Sequence, residues 1–140
     1  MTIPPSSNVR LQRAYDEPTP DDGYRVLVDR IWPRGRTKEQ LRLDTWARDI
    51  GPSAELRKWF GHDPARWAAF QGRYRVELAD PGRAQTIDAL AERARHGRVT
   101  LVFGARDVEH NEARVIAAEL GQRLSRRTEA EGAVHAPSSG

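Results

Sequence analysis

Val99-Thr100-Leu101-Val102-Phe103-Gly104 decides the fold. Five apolar or β-branched residues in a row, stopped by glycine, are too few for a helix and read as a strand buried on both faces, as in a parallel sheet. The flanking segments fit that reading. Upstream, Asp80-Pro81 places a capping carboxylate before a proline at the first helical position, and the helix carries Ile87, Leu90 and Ala94 before closing at His96-Gly97. Downstream, Asp107 is read as the cap of a final helix with Val115, Ile116 and Leu120 turned inward.

The same logic extends towards the N-terminus. Val9 to Tyr15 alternates apolar and polar residues, the mark of a half-buried strand. Tyr24 to Trp32 is a second strand, continuously apolar in its middle and stopped by Pro33-Arg34-Gly35. Thr37 to Leu41 forms a short capped turn, and Leu43 to Ala47 a brief third strand. Ser53 caps a helix through Trp59 that ends at Gly61, and Asp63-Pro64 opens another whose Trp67, Phe70, Tyr74 and Leu78 share one face at spacings of three and four. That face is expected to be core. Strands separated by helices give the expected fold class, α/β, with a small parallel sheet of three or four strands covered by helices in a single layer sandwich, doubly or half wound. Residues 1–8 and 123–140 read as disordered tails around one domain at 9–122.

The chain has 140 residues, 38% of them hydrophobic and 31% charged, which suits a single domain. No stretch approaches the ~20 apolar residues of a membrane-spanning helix, so no membrane association is expected. The start, MTIPPSSNVR, lacks the pattern of a secretion signal and points to the cytoplasm. With no cysteine, the chain itself can supply neither a thiol nucleophile nor a thiolate metal site. No histidine pair has zinc-site spacing, so no metal is expected. Pro33-Arg34-Gly35-Arg36-Thr37 holds one glycine where a phosphate-loop or dinucleotide fingerprint needs several, and no cofactor is implied. The formal charge is +3, yet 21 of the 23 basic residues are arginine, an excess more economically explained by codon usage than by function. Individual arginines therefore have to be argued by position.

In open parallel sheets, ligands gather beyond the carboxyl ends of the strands. Two such ends are well marked, Asp29 to Gly35 and Gly104 to His110. If their strands are neighbours, Arg30, Arg34, Arg106 and His110 meet over one edge of the sheet, with guanidinium forks suited to an anion and with Gly35 and Gly104 allowing close backbone approach. The alternative is structural: Arg30 pairs with Asp29 or Asp49, Asp107 merely caps its helix, and Trp32 is core. His110 has the chemistry for acid–base work near neutrality. Trp46, Trp59, Phe60 and Trp67 raise a nucleic-acid reading, against which their helical spacing favours packing.

Taken together, D-R-I-W-P-R-G at 29–35, L-R-K-W-F-G-H-D-P at 56–64, and Val99 to Phe103 with Ala105-Arg106-Asp107 and His110-Asn111 resemble the YeaO-like branch of a bacterial domain-of-unknown-function family over about residues 9–122. The resemblance implies a compact cytosolic α/β fold and fixes no activity. Longer relatives in the wider family carry cysteine and paired histidine near the loop after the last strand, where this chain has Gly104, Ala105 and Asn111-Glu112, so a thiol or metal role does not carry over. Candidate positions brought by the resemblance are His110 and Asp29 as acid–base groups, with Arg30, Arg34, Gly35, Arg57, His62, Arg106 and Asp107 as ligand-binding groups. The leading expectation is a pocket for a small anion, phosphate or nucleotide-like, at the strand ends. The rival is a nucleic-acid or protein-binding module without catalysis.

Overall fold

The structure, a computed structural model, describes residues 8–135, with side chains described through residue 126. The expected tails at residues 1–7 and 136–140 lie outside the described residues. Four parallel strands form one sheet: β1 (Val9–Arg13), β2 (Tyr24–Leu27), β3 (Thr45–Trp46) and β4 (Val99–Phe103), in the order β1-β4-β2-β3. The last strand in sequence therefore sits inside the sheet, paired on both sides, which is why its five side chains are all buried.

Alternation along the strands divides the sheet into two unlike faces. Val99, Leu101 and Phe103 of β4, with Val26 of β2 and Val28 just after it, join the main core. That core is closed by α2 (Ala54–Phe60), α3 (Trp67–Leu78), α4 (Pro81–His96) and α5 (Glu112–His135). The opposite face carries a small cluster of Ala14, Leu27, Leu41 and Val102, covered by α1 (Lys38–Leu41) and by Trp32 and Trp46. Of the two expected windings, the half-wound one matches this division.

Beside that small cluster, Arg10 and Arg25 flank Thr100 in register across the three strands, and Asp22 bonds to both arginines at 2.7 Å. Arg25 is 4% exposed and Asp22 1% exposed, so a charged row stands where an apolar second layer would otherwise lie. Arg25 is further held by the Leu41 carbonyl, which accepts from its Nε at 2.9 Å, and by Gln12.

The local signals act largely as expected. Thr37 and Ser53 accept from the backbone N–H groups of Gln40 and Leu56, and Gly61 ends α2 in the left-handed conformation. Phe70, Tyr74 and Leu78 are buried, whereas Trp67 at the end of that face is only half-buried.

Several boundaries differ from expectation: β1 to β3 are shorter, β2 ending at Leu27 rather than Trp32, and the last helix is bounded differently at both ends. Asp107 accepts from the N–H groups of Glu109 and His110 and so organises a turn; the cap of α5 is Asn111, whose Oδ1 accepts from the Arg114 N–H at 3.1 Å. The last helix also runs past residue 122. Leu124 continues the Ile116–Leu120 spacing into the core, and Arg123 pairs with Asp88 at 2.7 Å and with Glu119 at 2.8 Å, so the domain does not end where a tail was expected to begin.

Candidate functional site

Because β2 and β4 are hydrogen-bonded neighbours, the loops that follow them lie side by side at the carboxyl edge of the sheet. They are joined by Asp29, whose Oδ2 accepts from the Gly104 N–H at 2.8 Å. A side chain at Gly104 would bring its Cβ to 3.1 Å from that oxygen, so a larger residue there would have to push the Asp29 carboxyl aside by a few tenths of an ångström. The Trp46 indole, donating to the Asp29 carbonyl at 2.7 Å, fixes the same residue from the edge strand.

A cleft of about 470 Å³ opens over this junction. Its buried floor is Phe60 and Phe70, stacked with ring centroids 4.4 Å apart. One wall comes from the loop after β2, a second from Arg57, Lys58 and His62 at the end of α2, and a third from Gly104, Ala105, His110 and Glu112. Tyr15, from the turn after β1, closes the rim and donates from its hydroxyl to the Arg34 carbonyl at 2.9 Å.

The electrostatics of the floor are unusual. Burial is the largest influence on Asp29, followed by its hydrogen bond to the Glu112 carboxyl, and together they push its pKa up to about 10 from the ordinary 3.8. Asp29 therefore holds its proton well above the ordinary carboxylate range. Below the pair, burial and then the charges of Glu112 and Asp29 raise the Tyr74 phenol well above its usual range, and its hydroxyl donates to the Ile50 carbonyl. Beside the pair, Arg57 has its Nε buried without a hydrogen-bond partner.

The folded chain holds a proton at Asp29 that an unfolded chain releases near pH 3.8, so this group's contribution favours folding below about pH 4 and is lost as pH rises towards about 10. Asp29→Asn keeps the acceptor for Gly104 and replaces the acid proton with an amide donor. Equilibrium denaturation at pH 6 and pH 9 is expected to show the variant losing less stability over that interval than the parent chain. Equal losses would contradict the raised pKa of Asp29.

Of the residues anticipated from sequence, Asp29, Arg30, Arg34, Arg57, His62 and His110 line this one cleft. Their roles differ. Arg30 pairs with neither Asp29 nor Asp49; it donates to the Gly51 and Pro52 carbonyls at 2.8 and 3.0 Å and pins the loop before α2. His110 is oriented by Asp107, with Nδ1 and Oδ2 2.9 Å apart, and lies edge-on to Trp67 with ring centroids 5.2 Å apart. The hydrogen bond from His110 is the chief cause of the lowered Asp107 pKa. Arg106, Asp107 and Gly35 are not among the lining residues. Arg106 is exposed on the turn after Ala105, Asp107 acts only through His110, and Gly35, at φ 79°, has open space around it rather than a close backbone neighbour. Glu112, which sequence reasoning passed over, is the partner of Asp29. Among the described residues no group of three or more His, Cys, Asp or Glu is placed to hold a metal ion.

Residues 8–139 match the family described as the inactive DUF488-N3 subclade. The chain belongs to this family. Similar proteins include the uncharacterized protein Rv3073c of Mycobacterium tuberculosis, 42% identical over 117 residues that cover 84% of this chain and 97% of the relative, and the uncharacterized protein YeaO of Escherichia coli, 42% identical over 110 residues that cover 79% and 94%. The motif-based resemblance to the YeaO-like branch is thus correct. No solved structure matches the chain. No described helix is long and apolar enough to cross a membrane.

Proposed function

We propose that the cleft is a binding site for a small anion of the phosphate class and that it holds this ligand without chemical turnover. The observation that carries the reading is the convergence of Arg34, Arg57 and Lys58 on the walls of one cleft. An anionic oxygen entering the cleft meets guanidinium and ammonium donors above an apolar floor. Arg34 and Lys58 are exposed on those walls, and an Asp29 carboxyl that keeps its proton adds no negative charge to the floor.

Binding is favoured over turnover for two reasons. His110 and Asp107 form an oriented acid–base pair, but among the described residues lining the cleft there is no serine, threonine or cysteine for the histidine to activate. The family's description as an inactive subclade agrees with that composition. The nucleic-acid reading is weaker because aromatic faces suited to base stacking are already occupied by arginine: Arg73 lies 4.0 Å and Arg66 5.4 Å from the Trp59 ring, Arg48 lies 4.2 Å from Trp46, and Arg93 lies 3.7 Å from Tyr24.

Calorimetric titration with inorganic phosphate at fixed ionic strength tests the proposal, with sulfate as competitor. Arg57→Met, which keeps the aliphatic stem, and Arg34→Ala are each expected to weaken binding by about tenfold or more. Arg93→Ala, Arg95→Ala and Arg106→Ala, all outside the cleft, are expected to leave it unchanged. Equal losses at all five positions would point to a diffuse basic surface and favour the nucleic-acid reading.

A further inference from the structure

Resting on the anion-binding reading, we infer that the ligand carries a diphosphate group, free or esterified, with one phosphoryl group between Arg34 and Arg57 and the other at Lys58. Charge is the first argument. Arg30, Arg34, Arg57 and Lys58 line the cleft against only two carboxyls, Asp29 and Glu112. Asp29 keeps its proton, because burial outweighs the charge of Arg57 beside it. The positive excess is therefore larger than the roughly 1.5–2 negative charges of one phosphoryl group near neutrality. Nothing in the fold cancels it. Arg30 donates to backbone carbonyls, which leave its charge unpaired, and the side chains of Arg34, Arg57 and Lys58 make no hydrogen bond or ion pair with any described residue.

The second argument is the divergence of two neighbours on one helix. Arg57 and Lys58 are consecutive in the last turn of α2, where successive side chains leave the axis about 100° apart and do not face each other. Both nonetheless line the cleft, so their cationic heads reach it at separate but adjacent points. Two phosphoryl groups joined through one oxygen suit such a pair better than a single anion does. Arg34 comes from a different wall, the loop after β2. Size agrees with charge: a cleft of about 470 Å³ falls among sites of about 300–1,000 Å³ that hold whole organic ligands, and a single tetraoxo anion would leave much of it to water.

Calorimetric titration of the full chain, in metal-free buffer at fixed ionic strength, compares inorganic phosphate, inorganic diphosphate and adenosine diphosphate. Inorganic diphosphate is expected to bind about tenfold more tightly than phosphate. Lys58→Gln, at an exposed position where folding is not at stake, is expected to weaken diphosphate about tenfold more than phosphate and so to bring their affinity ratio close to one. Lys38→Gln removes the chain's other lysine, outside this cleft, and is expected to leave the ratio intact. Adenosine diphosphate binding at least as tightly as inorganic diphosphate assigns the group to an ester; weaker binding that still exceeds phosphate assigns it to the free anion. If phosphate binds and diphosphate binds no more tightly, or if Lys58→Gln weakens both equally, the second phosphoryl position is wrong and the anion site stands. If Lys38→Gln lowers the ratio as far as Lys58→Gln does, net charge alone sets the preference and the inference fails. If none of the probes binds, the anion-binding reading fails with it.

Discussion

Asp22→Ala is expected to destabilise the fold by roughly 3–5 kcal/mol, the range found when one partner of a buried ion pair is removed. Asp22 accepts from both Arg10 and Arg25 and from the N–H and hydroxyl of Thr19, at 2.7–2.9 Å, so its loss unties two strands and the turn before β2 together. Arg25 would be left charged and 4% exposed beside Thr100, with only the Leu41 and Gln12 oxygens to accept from it. Burial alone would raise the Asp22 pKa, but the hydrogen bonds from Thr19 and Arg10 and the charge of Arg25 outweigh it and hold the carboxyl below its ordinary 3.8. A lowered folded-state pKa means that this stabilisation is present above about pH 4 and is lost as pH falls further. Urea denaturation at pH 7 measures the loss. Repeating it near pH 3 should shrink the difference between the variant and the parent chain. A loss under about 1 kcal/mol at pH 7, the scale of an exposed pair, would show that the network is not a buried one.

Phe70→Ala is expected to cost a similar amount, roughly 3–5 kcal/mol, as for other large aromatics removed from a packed interior. Phe70 is 2% exposed and touches three aromatic rings, with centroids 4.4 Å from Phe60, 5.7 Å from Trp67 and 5.6 Å from Tyr74. Its removal also takes away the cleft floor. Phe70→Leu retains most of the volume and is expected to cost less than half as much, so the pair of variants separates packing from a general sensitivity of α3. Equal losses in thermal or urea denaturation would contradict the packing argument.

The sheet and most helices were legible because their signals are local. Val99 to Phe103 needs only its own composition to read as a buried strand, and Ser53 with Gly61 brackets α2 from both ends. The far end of α5 was missed: Leu124 repeats the four-residue spacing of Ile116 and Leu120, but the polar residues around it read as a tail. Arg25 and Asp22 were not legible as buried, because charge in a strand ordinarily marks the solvent side, and only the pairing of β1, β4 and β2 brings their partners together.

The site shows the same division. Its two loops could be located from strand ends, and six of the nine candidate positions line one cleft, since residues after adjacent parallel strands must converge. Glu112 was invisible, because an acidic residue in the first turn of a helix is the ordinary complement to the helix dipole, and its pairing with Asp29 depends on tertiary adjacency. The alternative reading of Arg30 as an ion pair failed for the opposite reason. Carboxylates nearby in sequence suggested ion pairs, whereas the backbone carbonyls that it serves are brought to it by the turn before α2.

An anion in the cleft is received by the side chain of Arg57 together with Arg34 and Lys58, and the Arg57 Nε–H reports its arrival. Proton–nitrogen correlation NMR of the arginine side chains, recorded during a phosphate titration at constant ionic strength, addresses that atom directly. The Arg57 Nε–H resonance is predicted to move with a saturating dependence on phosphate while those of Arg93 and Arg95 remain in place. An Arg57 resonance that does not move, or a common unsaturating drift of all the arginines, would contradict the account.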